Sequence, residues 1–355
     1  MKKKKIAIVG ATGVVGRTIL KVLEEEDLKN LEYSLFSSKK SAGKKIKFMN
    51  KEYKVKELKE KSFNKNFDYA IFSAGANTSK KFAPIAASKG TIVIDNSSAF
   101  RMDDDVPLVV PEVNANTIKE NHGIIANPNC STIQAVVPLK TLDDNYKIKR
   151  IVYTTYQAVS GAGRNGIEDL ENGIEDYYKN NWYETEIINE KVATQYDLKK
   201  FKYPIFNNVL PHIDDFMENG YTKEEMKMIN ETRKILNKPD LNVTATCARV
   251  PIFNSHAESI NVEFENDFEI NGLINLLKNT TGVKVVDNIK NEEYPLSTQA
   301  TGTNEIYVGR IRRDNSVKYG INMWVVADNI RKGAATNAVQ ILKLVIWKSK
   351  CNSVK

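Results

Sequence analysis

An α/β fold, a doubly wound parallel sheet followed by a mixed α+β domain, is predicted by three observations. Short continuous apolar runs alternate with amphipathic stretches through the first third of the 355-residue chain. Glycines separate the first apolar run from the first amphipathic stretch. Beyond about residue 148 the strand signals lengthen and become rich in β-branched and aromatic residues. Alternation of the first kind means parallel strands joined by crossover helices.

In chain order, Ile6–Val9 is the first strand, and Val15, Ile19, Leu20, Val22 and Leu23 stripe one face of a helix over Val14–Glu26. Tyr33–Phe36, Tyr69–Ser73, Thr91–Asp95, Pro107–Val110 and Gly123–Ala126 read as further buried strands. A helix over Ser131–Leu142 follows. The longer strands are Arg150–Gln157, Asn242–Val250, Glu258–Phe264, Asn304–Arg312 and Tyr319–Val326, the last two flanking a turn-like Arg313–Ser316 and so predicting a hairpin. Helices are expected over Gly166–Asn180, Lys223–Leu236 and Glu269–Asn279, and a final one over Gly333–Lys348 that returns to the first domain. No internal repeat or low-complexity segment breaks the chain.

Composition excludes several classes. With 41% apolar and 27% charged residues the chain resembles an ordinary globular protein. Cys130, Cys247 and Cys351, an odd and widely spaced set, exclude a disulfide scaffold and fit a reducing compartment. The opening lysines and Ile6–Gly10 imitate a secretion signal, but glycines interrupt the apolar run and acids follow, so the segment reads as a strand. No stretch approaches a membrane span. The net charge of +8 comes from scattered lysine pairs among acids without interleaved aromatics, which argues against nucleic acid and suits small anionic ligands. The expectation is a cytoplasmic protein without membrane or nucleic-acid partners.

Gly10, Gly13 and Gly16 follow the first strand and open the first helix, the context of a dinucleotide-binding turn in a G-x-x-G-x-x-G variant. After the second strand, Ser37 to Lys44 supplies hydroxyls and cations but no carboxylate, a set suited to a 2′-phosphate, so the expected cofactor is NADP. A polar loop that touches no ligand is the alternative there.

Cys130 begins a helix, where the dipole favours thiolate over thiol and makes the sulfur a candidate nucleophile. Cys247 falls mid-strand and Cys351 in the tail. Of His122, His212 and His256, position narrowly favours His256, expected in a loop between strands beside Arg249, with a satisfied structural histidine an equal reading. No Cys/His pair has zinc-ligand spacing, so no metal site is expected.

Together these residues resemble the aspartate-semialdehyde dehydrogenase family over nearly the whole chain. The motifs are GATGVVG at 10–16, SAGK at 41–44, SAGANTS at 73–79, DNSSAFR at 95–101, VPLVVPEVN at 106–114, NPNCSTIQ at 127–134, TYQAVSGAG at 155–163, RVPIFNSHAESINVEF at 249–264 and DNIRKGAATNAVQI at 328–341. The resemblance implies an N-terminal Rossmann-like NADP-binding domain, residues 1–130 completed by 329–355, and a catalytic/dimerisation domain, residues 131–328. It implies reversible, NADPH-dependent reductive dephosphorylation of L-aspartyl-4-phosphate to L-aspartate-4-semialdehyde and phosphate through a cysteine thioester. That step serves lysine (through diaminopimelate), methionine, threonine and isoleucine biosynthesis.

By the same resemblance Cys130 is the nucleophile, His256 the general acid/base and Gln157 an orienting group. Asn129, Arg249 and Glu224 bind substrate, Arg249 gripping the α-carboxylate and Glu224 the amino group, while Arg101 and Lys227 hold phosphate. Gly10, Thr12, Gly13, Val14, Val15, Gly16, Ser38, Lys40, Gly75, Ser160, Gly161, Gly163 and Asn337 bind the cofactor, Asn337 at the nicotinamide amide. Lys40 stands where relatives often carry Arg, keeping the charge but losing the fork. The implied assembly is a homodimer or dimer of dimers. The alternatives are an N-acetylglutamyl-phosphate reductase and a catalytically silent dinucleotide-binding homologue.

Overall fold

A computed structural model describes residues 3–179 and 197–352, so Asn180 at the end of one expected helix lies outside it, as does the Cys351 side chain. Its first part runs β1 (Lys4–Val9), α1 (Val14–Glu25), β2 (Leu31–Ser37), β3 (Lys45–Phe48), β4 (Lys51–Lys54), β5 (Lys56–Glu57), β6 (Tyr69–Phe72), α2 (Ala76–Ser88), β7 (Ile92–Asp95), α3 (Pro111–Asn114), β8 (Ile124–Ala126) and α4 (Cys130–Tyr146). The strands pair all-parallel in the order β5-β2-β1-β6-β7-β8. Strand order reverses between β1 and β6, and a crevice outside the carboxyl ends of strands at such a point is where α/β sheets bind ligands.

The second part contains β9 (Ile148–Gln157), α5 (Arg164–Lys179), α6 (Lys223–Leu236), β10 (Asn242–Arg249), β11 (His256–Phe264), α7 (Ile270–Lys278), β12 (Val283–Val285), α8 (Ser297–Ala300), β13 (Ile306–Asp314) and β14 (Gly320–Ala327). Its mixed sheet has the order β10-β9-β11-β14-β13-β12, with β10/β9 and β12/β13 parallel and the other pairs antiparallel. Helices α4, α6 and α7 cover one face, and Ile133, Val137, Met228, Tyr153, Ile260 and Met323 share the core between them. The last helix, α9 (Asn337–Asn352), packs Ala338, Ile341, Leu342 and Val345 against Ile6, Ile19 and Leu23 of the first sheet's layer.

Two local expectations are corrected, and one element was not anticipated. Pro107–Val110 is no strand: it touches β8 through a single bridge, Leu108 to Ala126, before Pro111 opens α3. Its apolar run reflects burial between two cores, with Val109 in one and Leu108 and Val110 in the other. The polar stretch 45–54 forms the β3–β4 hairpin, turned by Met49 and Asn50 at φ +50° and +58° and anchored by Phe48 on Tyr33, 4.8 Å between ring centres. The final helix starts later than expected because Arg331–Thr336 forms a wide turn, with Gly333 N donating to Asp328 O and Ala335 N to Ile330 O.

Candidate active site

The two sheets meet over a cleft of ≈ 830 Å³. On the first-sheet side, tight backbone approach builds the wall. Gly10 has φ +87°, and a Cβ there would sit 2.1 Å from Ser73 O; one on Gly16 would sit 2.1 Å from Gly10 O. Gly13 caps α1 without a side chain, leaving the first-turn N–H groups directed outward, as an anionic pyrophosphate requires. Thr12, Gly13, Val14, Val15 and Gly75 line the cleft here, facing Ser160, Gly161 and Gly163.

Not every expected cofactor residue reaches this wall. Ser38 and Lys40 are exposed on the short turn beyond β2, outside the cleft lining, and Asn337 is fully buried behind it. Asn337 Nδ2 donates to Val109 O (2.9 Å) and Asn127 Oδ1 (2.8 Å), which ties α9 to the Asn127 loop; its Oδ1 has no protein partner. Arg17, Asn96, Ser97 and Ser98 line the cleft although sequence reasoning did not single them out. The 96–98 loop is locked by the buried Asp95, which accepts from Ser79 Oγ (2.6 Å) and Ser97 Oγ (2.7 Å).

On the other side, Cys130 is the first residue of α4, as expected. Asn129 caps that helix, its Oδ1 accepting from Ser131 N (3.0 Å) and Thr132 N (3.3 Å). The tight packing of the wide turn against the cysteine explains Gly333: a Cβ there would lie 2.9 Å from Cys130 Cβ. β10 ends at Arg249, paired in register with Gln157 at the end of β9, and β11 begins at His256. Three neighbouring strands therefore present Arg249, Gln157 and His256 in one row. His256 thus opens a strand, not the expected loop, after Ser255 at φ +71°.

Helix α6 delivers the charges. Glu224 Oε1 accepts from Asn129 Nδ2 (2.9 Å) and Gln157 Nε2 (3.1 Å), while Lys227 Nζ donates to Glu224 Oε2 (3.0 Å) and Asp214 Oδ2 (2.7 Å). Burial pushes the Glu224 carboxyl up, but Lys227 and the two amides outweigh it and hold the group at about 2. Thr155 Oγ1 donates to Gln157 Oε1 (3.0 Å) and so orients that amide. Two turns beyond Glu224 along α6, Glu231 accepts from Arg101 Nη1 (3.0 Å) and from Asn129 N (2.6 Å). Arg101 also donates to Asn127 O and Asn96 O, so three of its five N–H donors are held by the protein. Glu231 went unnoticed in the sequence, yet its seven-residue spacing from Glu224 placed it on the same helix face.

The thiol does not behave as its helix position suggested. Burial, reinforced by the Glu224 carboxylate, pushes Cys130 up to about 12 against the opposing pull of Arg249 and Arg101. His256 is driven the other way, to about 3, by burial and then by the Arg249 charge. Arg249 Nη1 donates to Ala158 O (2.7 Å), and its buried Nε has no protein partner. Cys247 is buried in β10, His122 and His212 lie outside the cleft lining, and among the described residues no cluster could hold a metal ion. No helix among them is long and apolar enough to cross a membrane.

Comparison with known proteins agrees with this geometry. Residues 5–121 match the family model for the semialdehyde dehydrogenase NAD binding domain, and residues 139–332 that for the semialdehyde dehydrogenase dimerisation domain. An aspartate-semialdehyde dehydrogenase of Aquifex aeolicus is 53% identical over 96% of this chain and 98% of its own length. One from Campylobacter jejuni is 48% identical over 96% of both. The solved structure of aspartate semialdehyde dehydrogenase II from Vibrio cholerae, complexed with ASA, superposes with TM-score 0.90 at 44% identity, covering 98% of this chain and 99% of that one.

Proposed function

The chain belongs to the aspartate-semialdehyde dehydrogenase family and is an oxidoreductase of amino-acid biosynthesis; from that premise we propose how its own residues divide the work. The reaction is the reversible reductive dephosphorylation of L-aspartyl-4-phosphate to L-aspartate-4-semialdehyde. The observation that carries the assignment is the meeting, across one cleft, of a glycine-built cradle with Cys130, Glu224 and Arg249.

The Arg249 guanidinium, buried with Nε free of protein partners, receives the substrate α-carboxylate, a planar fork suited to it. Glu224, held ionised, receives the α-ammonium while Asn129 and Gln157 fix its orientation. The remaining donors of Arg101 and the Lys227 ammonium hold the phosphoryl group. These contacts bring C4 to Cys130 Sγ, which forms the thioester and releases phosphate. The Gly10–Gly16 turn, Thr12, Val14, Val15 and Gly75 fit a dinucleotide, and the exposed Ser38 and Lys40 favour NADP at the rim. When bound, NADPH supplies the hydride that reduces the thioester. Ser160, Gly161 and Gly163 close the opposite wall without side-chain bulk. An N-acetylated substrate is disfavoured, since it brings no cation to Glu224. Assembly as a homodimer through the second domain and a cytoplasmic location complete the reading.

The test is phosphate-dependent reduction of NADP with L-aspartate semialdehyde, with NAD and N-acetylglutamate semialdehyde run in parallel. The expected result is turnover that requires phosphate and the free amine and is faster with NADP. Turnover with only the acetylated aldehyde would overturn the substrate assignment.

A further inference from the structure

The excess charge of the chain sits in one place. Residues 39–65 carry eleven lysines against three glutamates, a net +8 equal to that of the whole protein, so the other 328 residues balance 41 cations against 41 acids. Lysine pairs do recur along the sequence, but the uncompensated ones are collected on one flank. It comprises the turn after β2, the β3–β4 hairpin, β5 and the short turn that follows it.

Register and burial decide where these side chains lie. In the hairpin Ile46 pairs with Tyr53, Lys45 with Lys54 and Lys47 with Glu52. Phe48 is buried, and Ile46 and Tyr53 pack half-buried against the first-sheet core, so alternation sends Lys45, Lys47, Glu52 and Lys54 to the outer face. Glu52 is taken by Lys45 (2.7 Å), Glu57 by Lys59 (2.8 Å) and Glu60 by Lys81 of α2 (3.1 Å). All three glutamates of the segment are thereby answered, and among the described residues no ion pair engages Lys47, Lys51 or Lys54. The acids at the end of α1, beside the hairpin tip, are engaged as well: Glu24 by Met49 N, Glu25 by Arg331 and Glu26 by Lys343.

The flank adjoins the glycine cradle, not the cysteine. Val55 N donates to Lys44 O (2.8 Å) and Gly43 N to Val55 O (2.9 Å), joining the hairpin base to the turn that bears Ser38 and Lys40. β5 extends the sheet beside β2, with Lys56 opposite Phe36. Ser37 Oγ, at the end of β2, meets Thr12 Oγ1 of the cleft lining at 2.8 Å. The lysines therefore spread outward from the rim of the cofactor wall.

We propose that this flank is an electrostatic guide: it raises the rate at which NADPH, with its three phosphates, reaches the Gly10–Gly16 cradle, and Lys47, Lys51 and Lys54 do not touch the bound dinucleotide. The proposal rests on the cofactor cradle described above. Like charges fixed beside a cleft raise the local concentration of an opposite ion and its association rate, by about 10- to 1,000-fold at low ionic strength. NADH lacks the 2′-phosphate and feels the field less, so the flank adds a kinetic preference for NADP to whatever Lys40 supplies by contact.

Stopped-flow NADPH fluorescence separates association from dissociation, and Lys47→Gln/Lys51→Gln/Lys54→Gln removes three exposed charges without altering a cofactor contact. Salt shortens the Debye length from about 30 Å at 10 mM to about 3 Å at 1 M. Over that range the parent's association rate constant should fall at least about tenfold. At low salt the triple variant should take up NADPH at least about threefold more slowly than the parent, with a smaller loss for NADH. At high salt the two proteins should be equal, and the dissociation rate and kcat at saturating NADPH should match throughout. A salt-independent association rate, a difference that survives high salt, or a loss confined to dissociation would overturn the guide. So would salt-sensitive retention of duplex DNA by the parent alone with NADPH association unchanged, which would assign the surface to nucleic acid. Absence of any NADPH fluorescence change in the parent would overturn the cradle and the guide together, and is thus distinguishable from failure of the guide alone.

Discussion

The cofactor wall of the cleft and its chemical wall are built by opposite means. Along Gly10–Gly16 the structure works by removing side chains: a single methyl at Gly10 or Gly16 would fall 2.1 Å from a backbone oxygen. Along Arg249, Gln157, Glu224 and Glu231 it works by burying charge and giving the two carboxylates close partners. The first wall is largely local, its three glycines falling within seven consecutive residues. The second draws on β9, β10, β11, α4 and α6, and each charge there is tolerable only because a distant residue answers it. The contrast predicts where each wall breaks.

The largest effect is expected on the charged wall. Glu231→Ala leaves the buried Arg101 without its carboxylate and Asn129 N without an acceptor, at a cost of about 3–5 kcal/mol in unfolding free energy. Denaturant midpoints would measure it, and a change below about 1 kcal/mol would mean the network is slack. On the glycine wall, Gly16→Ala must push α1 from the Gly10 turn, costing roughly 1–3 kcal/mol as overpacking does. The KM for NADPH should rise while acylation of Cys130 persists; lost acylation would show that the walls are not separable.

A smaller effect has the opposite sign. Glu258 keeps its proton in the folded state but ionises near 4.5 when unfolded, so its contribution to stability falls as pH rises above 4.5. Glu258→Gln removes that loss, and its melting temperature should rise relative to the parent's as the pH goes from 5 to 8. Glu224, held at about 2, behaves conversely: its stabilisation is complete above 4.5 and is lost as pH falls toward 2. A pH-independent difference for Glu258→Gln would contradict the protonated reading. Least is expected of Lys40→Ala: exposed on its turn, it should shift the NADPH-over-NADH preference by less than about tenfold, the scale of one exposed charge contact.

The same division decides what could be read from the sequence. Strands β1, β2, β6, β7 and β8 of the first sheet, the glycine turn and the start of α4 at Cys130 are local patterns and were legible, whereas the two-residue edge strand β5 was not. The β3–β4 hairpin was not, because its strands are polar and only Phe48 is buried in it. Pro107–Val110 misled because apolar character records burial, not pairing. Cys130 misled in charge: the helix dipole could be inferred, but the burial and the Glu224 carboxylate that outweigh it depend on tertiary packing. Asn337 was placed correctly on the returning helix, yet the Val109 and Asn127 contacts that occupy its Nδ2 come from segments more than two hundred residues away.

The central claim is that Cys130 carries the acyl group between phosphate and hydride. Mixing the protein with L-aspartyl-4-phosphate in the absence of NADPH, quenching in acid and weighing its peptides by mass spectrometry tests it most directly. The account predicts an aspartyl adduct on the Cys130 peptide that disappears when inorganic phosphate or NADPH is added before the quench. An adduct on Cys247, or none on any cysteine while the wild-type protein turns over, would contradict it.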